Sequence, residues 1–479
     1  MVAHHTSRES KGYADLGGPE DVFPAPPPGI NRTQRAAKYA ANEPLAQARS
    51  GPPRRGPAGT QRPAPAPATQ SPMKLLALTY GTEGDTRPLT LLCRGLMDAG
   101  HEVMLLADGS TLGSARQLGV PHAALDGDIH EEVVALLARG NSPRAASRGL
   151  ARMAQRHVAA WMRQADGVAK ECDAVLTGGL AAFVGMSVAE HHGLPLIGTG
   201  MIPITPTGAF PSPFLPPGWT PALLNRASYR LVNQLIWRQF RGPINDARRA
   251  VLDRPPRRSP WTDVPMLYGI SPSLVPAPPD WPSDHRICGQ WRMPETLEWA
   301  PDPALQAFLD DGERPVYVGF GSMTGFDREA VLTALLRMLE GRRVLLSPGW
   351  SGMPQVALPS GVHVIDAVPH EKLFPLTSLV IHHGGSGTTH SACRAGVPSM
   401  VMPFAADQFF WADRLHRLRV APRALSPKRL AAASLAEALA FVEQAETRTR
   451  AAALGQRMAG EDGVAHAVAA IQAALPTAR

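Results

Sequence analysis

The sequence predicts an α/β protein built of two halves, each a doubly wound parallel sheet, facing a shared cleft. Three observations point there. From Met73 onward, short apolar runs alternate with helical stretches in the βαβ manner. The alternation lapses over 201–300 and restarts after Pro303. In both halves a glycine-containing polar loop follows a strand and opens a helix, and ligands bind outside such carboxyl ends of parallel strands. The length agrees, because 479 residues are more than one hydrophobic core serves.

Residues 1–72 stand apart from this pattern. They hold 13 of the 48 prolines and almost no apolar periodicity, so they cannot bury enough surface to offset their ordering entropy. A disordered tail is expected over 1–72, followed by domains at 73–295 and 301–479. Lys74–Tyr80 reads as the first strand and Gly81-Thr82-Glu83-Gly84-Asp85 as a polar loop. Pro88–Ala99 reads as a helix with Leu89, Leu92, Leu96 and Met97 on one face, ended by Gly100. Val103–Ala107 is the second strand; Ala174–Thr177 and Pro195–Gly198 are later ones. Prolines at 203–221 and 255–294 flank a helix near Leu223–Val251. In the second half Val316–Phe320, Arg343–Ser347, Val362–Ile365, Leu379–His382 and Ser399–Met402 read as strands. Asp327–Leu339, Gly387–Ala395 and Phe409–Leu418 read as helices. Two Rossmann-like halves are the expected shape.

Charge and cysteine narrow the function. The formal charge is +7, yet residues 1–72 alone carry nine Lys and Arg against five Asp and Glu. The folding part is therefore close to neutral for its size, and it has no aromatic-interleaved basic stripe, so no nucleic-acid partner is expected. Cys93, Cys172, Cys288 and Cys393 lack metal-ligand spacing and suit a reducing, cytoplasmic setting. No run of 18 apolar residues and no signal peptide is visible.

The richest stretch is His382-His383-Gly384-Gly385-Ser386-Gly387-Thr388-Thr389, between an apolar strand and a helix. Glycines there allow close backbone approach, and free amides at the positive end of the helix dipole favour an anion. Ser386, Thr388 and Thr389 add hydroxyls, and one histidine can hydrogen-bond a phosphate. The Walker lysine is absent, which argues against ATP or GTP hydrolysis. Twenty residues on, Asp407 and Gln408 offer a carboxylate beside an amide, suited to vicinal sugar hydroxyls; an N-cap is the other reading of Asp407. Ser322, after the first C-terminal strand, either touches phosphate or sits in a plain turn. Val368-Pro369-His370 with Leu373-Phe374 can wall a flat base, as can Trp350 unless it packs in the core.

Together with Arg394-Ala395-Gly396-Val397-Pro398, Pro403-Phe404 and Val368–Pro375, these residues resemble the donor-binding signature of the family 1 nucleotide-sugar glycosyltransferases. The likeness is to the branch of sterol glucosyltransferases and microbial natural-product enzymes. Gly81–Pro88 and Gly100-His101-Glu102-Val103 are similar to that branch's opening motif. The resemblance implies the GT-B fold, an inverting transfer without a metal or other cofactor, a nucleotide-sugar donor such as UDP-glucose, and a lipophilic hydroxyl-bearing acceptor shaped by 201–300. It implies that His382 and the backbone of Gly384, Gly385, Ser386 and Gly387 hold the diphosphate, aided by Ser386 and Thr388. Ser322 would touch phosphate from the other side, Val368 would pair with the base through its backbone, and Asp407 and Gln408 would hold the sugar. Asp85 falls at the position of the catalytic base. Its other reading is a helix cap, and Glu83 stands near enough to share or replace its role.

Rival readings are weaker. Asp108 could hold a nicotinamide ribose, but the first loop reads GTEGDT rather than GxGxxG. A nucleotide-sugar epimerase or a non-catalytic relative would keep the fold. His101 reads as a cap or packed residue, and Asp126-Gly127-Asp128 as a surface turn. Seven arginines between Arg238 and Arg258 suggest a peripheral contact with anionic lipid, against the alternative of a solvated helix face.

Overall fold

The computed structural model describes residues 71–132, 143–292, 299–321, 323, 326–349, 356–366 and 368–475, with side chains in the helix at 143 described from residue 147. The tail expected over 1–72 lies almost wholly outside the described residues, as do Ser322 and Trp350. The first sheet holds β1 (Lys74–Leu78), β2 (Glu102–Asp108), β3 (His122–Leu125), β4 (Ala174–Thr177), β5 (Leu196–Gly200), β6 (Met266–Tyr268) and β7 (His285–Ile287). Their order is β3-β2-β1-β4-β5-β6-β7, every pair parallel. The second sheet holds β8 (Val316–Gly319), β9 (Val344–Ser347), β10 (Val362–Val364), β11 (Leu379–His382) and β12 (Ser399–Val401), also all parallel, in the order β10-β9-β8-β11-β12. Each order reverses once, between β1 and β4 and between β8 and β11. Such reversals open a crevice at the carboxyl ends of the strands.

The helices are α1 (Glu83–Asp98), α2 (Gly113–Gln117), α3 (Pro143–Ala169), α4 (Ala182–His192), α5 (Asn225–Leu252), α6 (Pro303–Asp310), α7 (Arg328–Met338), α8 (His370–Leu373), α9 (Ser386–Arg394), α10 (Gln408–Arg417), α11 (Ala432–Glu443), α12 (Ala445–Ala459) and α13 (Gly463–Ala474). Helix α1 begins five residues before the expected Pro88. The reason is a capping box: the Thr82 hydroxyl accepts from the Gly84 amide at 3.3 Å, and Asp85 Oδ2 accepts from the Thr82 amide at 3.2 Å. Asp85 therefore sits in the first turn of a helix and not in a preceding loop.

Strand alternation divides the first core in two. Leu75, Ala77 and Leu105 face α1, while Leu76, Leu78 and Leu106 face α3, α4 and α5. Helix α13 crosses from the second half to the first: Ala467, Val468 and Ile471 join the core of Leu92 and Leu96. In the second sheet Val316 and Val318 pack toward α7 and α11, and Tyr317, Leu345 and Val380 toward α6 and α8.

A further cluster belongs to neither sheet alone. Met266, Tyr268, Ile270, Leu274 and Val275 pack with Cys393, Val401, Phe410, Trp411, Leu415 and Met458. Polar contacts run along this seam. The Ser271 amide donates to His390 Nε2 at 3.1 Å, and the Ser271 and Ser273 hydroxyls donate to Glu461 Oε1 at 2.8 and 2.7 Å. Arg414 Nη2 donates to the Leu274 carbonyl at 2.8 Å.

The arginine-rich stretch differs from expectation. Arg248 is buried and pairs with Glu190 at 2.9 Å. Arg257 pairs with the same carboxylate at 2.8 Å and lies over the Trp261 ring at 4.1 Å. Arg254 donates to the His191 carbonyl at 2.9 Å. These three hold α4, α5 and the following loop together and do not form a lipid-facing surface. Among the described residues no helix is long and apolar enough to cross a membrane.

Because Ile471 is fully buried in the first half's core, Ile471→Ala is expected to cost about 2–5 kcal/mol of stability, read from chemical denaturation.

Candidate active site

Both crevices open toward the same seam. Helix α1 starts after β1, beside the first reversal. The glycine loop 383–385 follows β11, beside the second. Gly384 is conformationally demanding: its φ is +90°, and a Cβ there would lie 2.8 Å from Val401 Cγ1 and 3.0 Å from the Gln408 carbonyl. The loop is thus pressed against β12 and the start of α10. Gly385 is the N-cap of α9, and no side chain caps that end. The first-turn amides of a nine-residue helix therefore stay open to an anion.

His382 is fully buried, and its Nδ1 accepts from the Gly384 amide at 3.1 Å. That bond puts the ring proton on Nε2, which is buried and has no hydrogen-bond partner among the described residues. Burial, with His383 and His370 nearby, holds its pKa well below the ordinary value, so the ring is neutral. His383 is half-buried, and its Nδ1 also lacks a partner. Its pKa is pushed down to about 4 by burial. It touches both loops: a Cβ on Gly385 would lie 2.5 Å from its Nε2, and one on Gly321 would lie 3.1 Å from its Cε1. His383 thus stands beside His382 between the two loops, and the doubled histidine is its signal in the sequence.

Ser386 Oγ donates to the Met201 carbonyl at 2.9 Å, just past the end of β5. Its hydroxyl thus bridges the halves. Gly387 is exposed and Thr388 half-buried. Val368 is half-buried and packs beside Leu373 and Phe374. His370 stacks on Phe374 with ring centroids 4.4 Å apart, but Leu373 and Phe374 are fully buried and pack in the core with Tyr317 and Leu345, so of the expected wall only Val368 and His370 remain partly exposed. Burial pushes the His370 pKa down to about 3, and the charge of Arg87 on α1 adds to that shift.

Asp407 occupies the N-cap position of α10 but makes no capping bond; its Oδ2 accepts from Trp411 Nε1 at 2.8 Å. The residue before it, Ala406, has φ +53°, a left-handed conformation that costs a non-glycine residue about 1 kcal/mol or more. Gln408 is buried and turned back on its own loop. Its Oε1 accepts from the Phe404 and Ala405 amides at 2.7 and 3.1 Å, and its Nε2 meets Met323 Sδ at 3.1 Å. As placed, Gln408 shapes the loop that presents Asp407.

Asp85 and Asp407 come from opposite halves, and the charge of Asp407 is felt at Asp85. Both are half-buried, and burial raises both pKa values, Asp85 to about 7 and Asp407 to about 6. The negative charge of Asp407 pushes Asp85 up further, while the Thr82 amide pulls it down. Glu83 is not part of this pair; it binds Arg87 at 3.3 Å.

Other residues are occupied elsewhere. Asp108 is buried, accepting from the Ser110 amide at 2.9 Å and the Ile129 amide at 2.8 Å, so it is spent on structure. His101 is buried and accepts from the Met73 amide at 3.3 Å. Asp126 Oδ2 lies 2.7 Å from His157 Nδ1. Asp166, His191 and His192 cluster beyond the amino end of β5, opposite the crevice; there Arg254 Nε donates to His191 Nδ1 at 3.2 Å and commits that lone pair. A cavity of about 610 Å³ lined by Arg314, Arg342, Arg343 and Arg448 lies at the amino ends of β8 and β9, away from both crevices.

Two parallel α/β sheets with facing crevices, an uncapped helix end behind a glycine loop and a carboxylate from each half define a GT-B glycosyltransferase architecture. Known proteins agree. Residues 342–473 match the family described as "Erythromycin biosynthesis protein CIII-like, C-terminal domain". A sterol 3-beta-glucosyltransferase of Aspergillus fumigatus is 31% identical over 430 residues, covering 85% of this chain and 30% of its own length. One of Arabidopsis thaliana is 30% identical over 432 residues, covering 85% of this chain and 66% of its own. The chain thus spans about a third of the fungal relatives it matches. Among solved structures, the glycosyltransferase of kitacinnamycin superposes with a TM-score of 0.62 at 18% identity over 85% of this chain and all of the other. SsfS6 of Streptomyces sp. SF2575, complexed with thymidine diphosphate, gives 0.55 at 22% identity over 84% of this chain and 99% of the other. The chain belongs to the family 1 nucleotide-sugar glycosyltransferases, in the branch of sterol glucosyltransferases and microbial natural-product enzymes.

Gly384→Ala is expected to cost about 1–3 kcal/mol and to lower the melting temperature, because both its φ and its contacts exclude a side chain. Gly387→Ala, with nothing within 4 Å of its Cβ, is expected to leave the melting temperature nearly unchanged in the same scan.

Proposed function

We propose that the chain moves a hexose from a nucleotide sugar to a hydroxyl of a lipophilic acceptor, such as a sterol, terpenoid, polyketide or phenol, by direct displacement with inversion. The observation that carries this reading is the uncapped end of α9 behind the glycine loop, tied to the opposite half through Ser386 and Met201, with Asp85 and Asp407 supplied from the two halves. The names of the relatives favour a sterol acceptor and glucose; the thymidine diphosphate bound by SsfS6 leaves the donor's base open.

The nucleotide's base would rest against Val368 and His370, paired through the backbone of Val368. The diphosphate would lie against the amides of α9, with Thr388 and Ser322, three residues after β8 in the sequence, adding hydroxyls. Asp407 would accept hydrogen bonds from the sugar through the oxygen that Trp411 does not use, and Gln408 would fix that loop. Asp85 would take the acceptor's proton as its oxygen attacks the anomeric carbon and the bond to the diphosphate breaks. A base is most effective with a pKa near the working pH, and about 7 meets that condition. Charge growing on the leaving diphosphate would meet the positive end of α9 and the proton on His382 Nε2, a stabilisation that replaces a metal. Ser386, bonded to Met201, would keep the halves in register.

Purified protein incubated with UDP-glucose or TDP-glucose and a panel of sterols, phenols and polyketides should release nucleoside diphosphate and yield a glycoside of inverted anomeric configuration. Asp85→Asn should lower kcat by roughly 10²–10⁴-fold; turnover within a few-fold of wild type would remove Asp85 as the base. The base acts ionised, so kcat/KM should rise with pH through about 7 and level off above it. In Asp407→Asn this limb should move to lower pH, because a charge that raises the Asp85 pKa is gone.

A further inference from the structure

Seven large apolar residues are exposed among the described residues, and six lie between 204 and 235: Ile204, Trp219, Leu223, Leu224, Leu231 and Leu235. Exposed apolar residues scattered singly are ordinary, whereas six in one segment leading into a helix that carries two of them on one face point to an interaction surface. Trp219 is 77% exposed and Leu223 86%. The segment runs from the cleft end of β5 into α5. Ala227, Leu231 and Leu235 recur at every fourth residue, so they form one stripe along the solvent side of α5. The opposite side is fixed in the fold through Tyr229, Val232, Trp237 and Phe240.

The charges beside the stripe have one sign. From Met201 to Asn245 there are four arginines and no aspartate or glutamate. Arg226 is taken by Asp280 at 2.7 Å. Arg230, Arg238 and Arg241 are exposed and, by helical spacing, follow one flank of the Leu231–Leu235 stripe. Arg248, Arg254 and Arg257 are not part of this face, since each is engaged within the fold.

We propose that this face, Trp219 to Arg241, lies on the surface of an anionic lipid bilayer, with Trp219, Leu223, Leu231 and Leu235 entering the headgroup boundary and Arg230, Arg238 and Arg241 paired with lipid phosphates. Apolar anchors beside uncompensated cations fit that surface, which supplies negative charge and an apolar layer together. A second copy of the chain fits poorly, because a twofold contact would set the same arginines against one another. The face follows directly on the segment that leaves the cleft at Met201. If the reading of a lipophilic acceptor holds, the acceptor would be drawn from the bilayer on this side; the docking itself does not rest on that reading.

The test is sedimentation of the full chain with vesicles of phosphatidylcholine alone and of phosphatidylcholine mixed with phosphatidylglycerol. Two triple variants, Leu223→Gln/Leu231→Gln/Leu235→Gln and Arg230→Gln/Arg238→Gln/Arg241→Gln, change only exposed side chains, and circular dichroism checks their fold. Wild type should sediment with the mixed vesicles and far less with neutral ones, and the arginine variant should partition roughly 100-fold less. The leucine variant should also lose binding. Wild type that stays in solution, or variants that sediment like wild type, would overturn the proposal; the second result would place any binding in the basic segment 1–72. A dimer in sedimentation velocity that the leucine variant dissolves would overturn it in favour of self-association. No arm reads sugar transfer, so failure here is distinct from failure of the proposed activity.

Discussion

Met266, Tyr268 and Ile270 from one half pack with Phe410, Trp411 and Leu415 from the other, and this shared apolar cluster fixes where the two carboxylates stand. Trp411 links the two levels. Its ring is fully buried in the cluster, and its Nε1 holds Asp407. The carboxylate is therefore oriented by the same side chain that helps join the domains. Asp85 is positioned from the other side by the capping box of α1, anchored to β1. Burial raises both carboxyls well above the ordinary carboxylate range, and the charge of Asp407 raises Asp85 further. The burial that makes Asp85 a weak acid makes it a useful base near neutral pH.

Polar contacts set the same geometry with finer grain. Ser386 spans from the start of α9 to Met201, and His390, one turn on, receives the Ser271 amide while its Nδ1 meets the Ser386 carbonyl at 2.7 Å. The helix whose open end faces the crevice is thereby tied to the opposite domain at two points. Helix α13 supplies a third tie by crossing to the core of α1. A hydrogen-bonded seam over an apolar cluster holds the halves together while leaving the α9 amides unoccupied.

Much of this was legible in the sequence. Strand positions follow from apolar runs between turn signals, and the two restarts of βαβ alternation give two sheets. The loop Gly384–Gly387 is legible because glycine at a strand–helix junction has few other uses, and Gly384 proves to need its positive φ. The start of α1 was misread because Pro88 looks like a first-turn residue, whereas the capping box of Thr82 and Asp85 fixes the start earlier. Local sequence offers Gln408 to a ligand, whereas in the fold its Oε1 accepts from two amides of its own loop. The influence of Asp407 on Asp85 and the contacts of the seam lie beyond local pattern, since they join residues more than 100 positions apart. The arginines at 238–258 illustrate the same limit: composition groups them, but Glu190, His191 and Trp261 decide which are tied down.

The account stands most directly on the ionisation of Asp85 beside Asp407. Carboxyl ¹³C chemical shifts, followed with pH in wild type and in Asp407→Asn, read it without any substrate. The account predicts a carboxyl assigned to Asp85 that titrates near 7 in wild type and at lower pH once Asp407 is neutral. An Asp85 carboxyl that titrates in the ordinary range near 4 and ignores the substitution would contradict it.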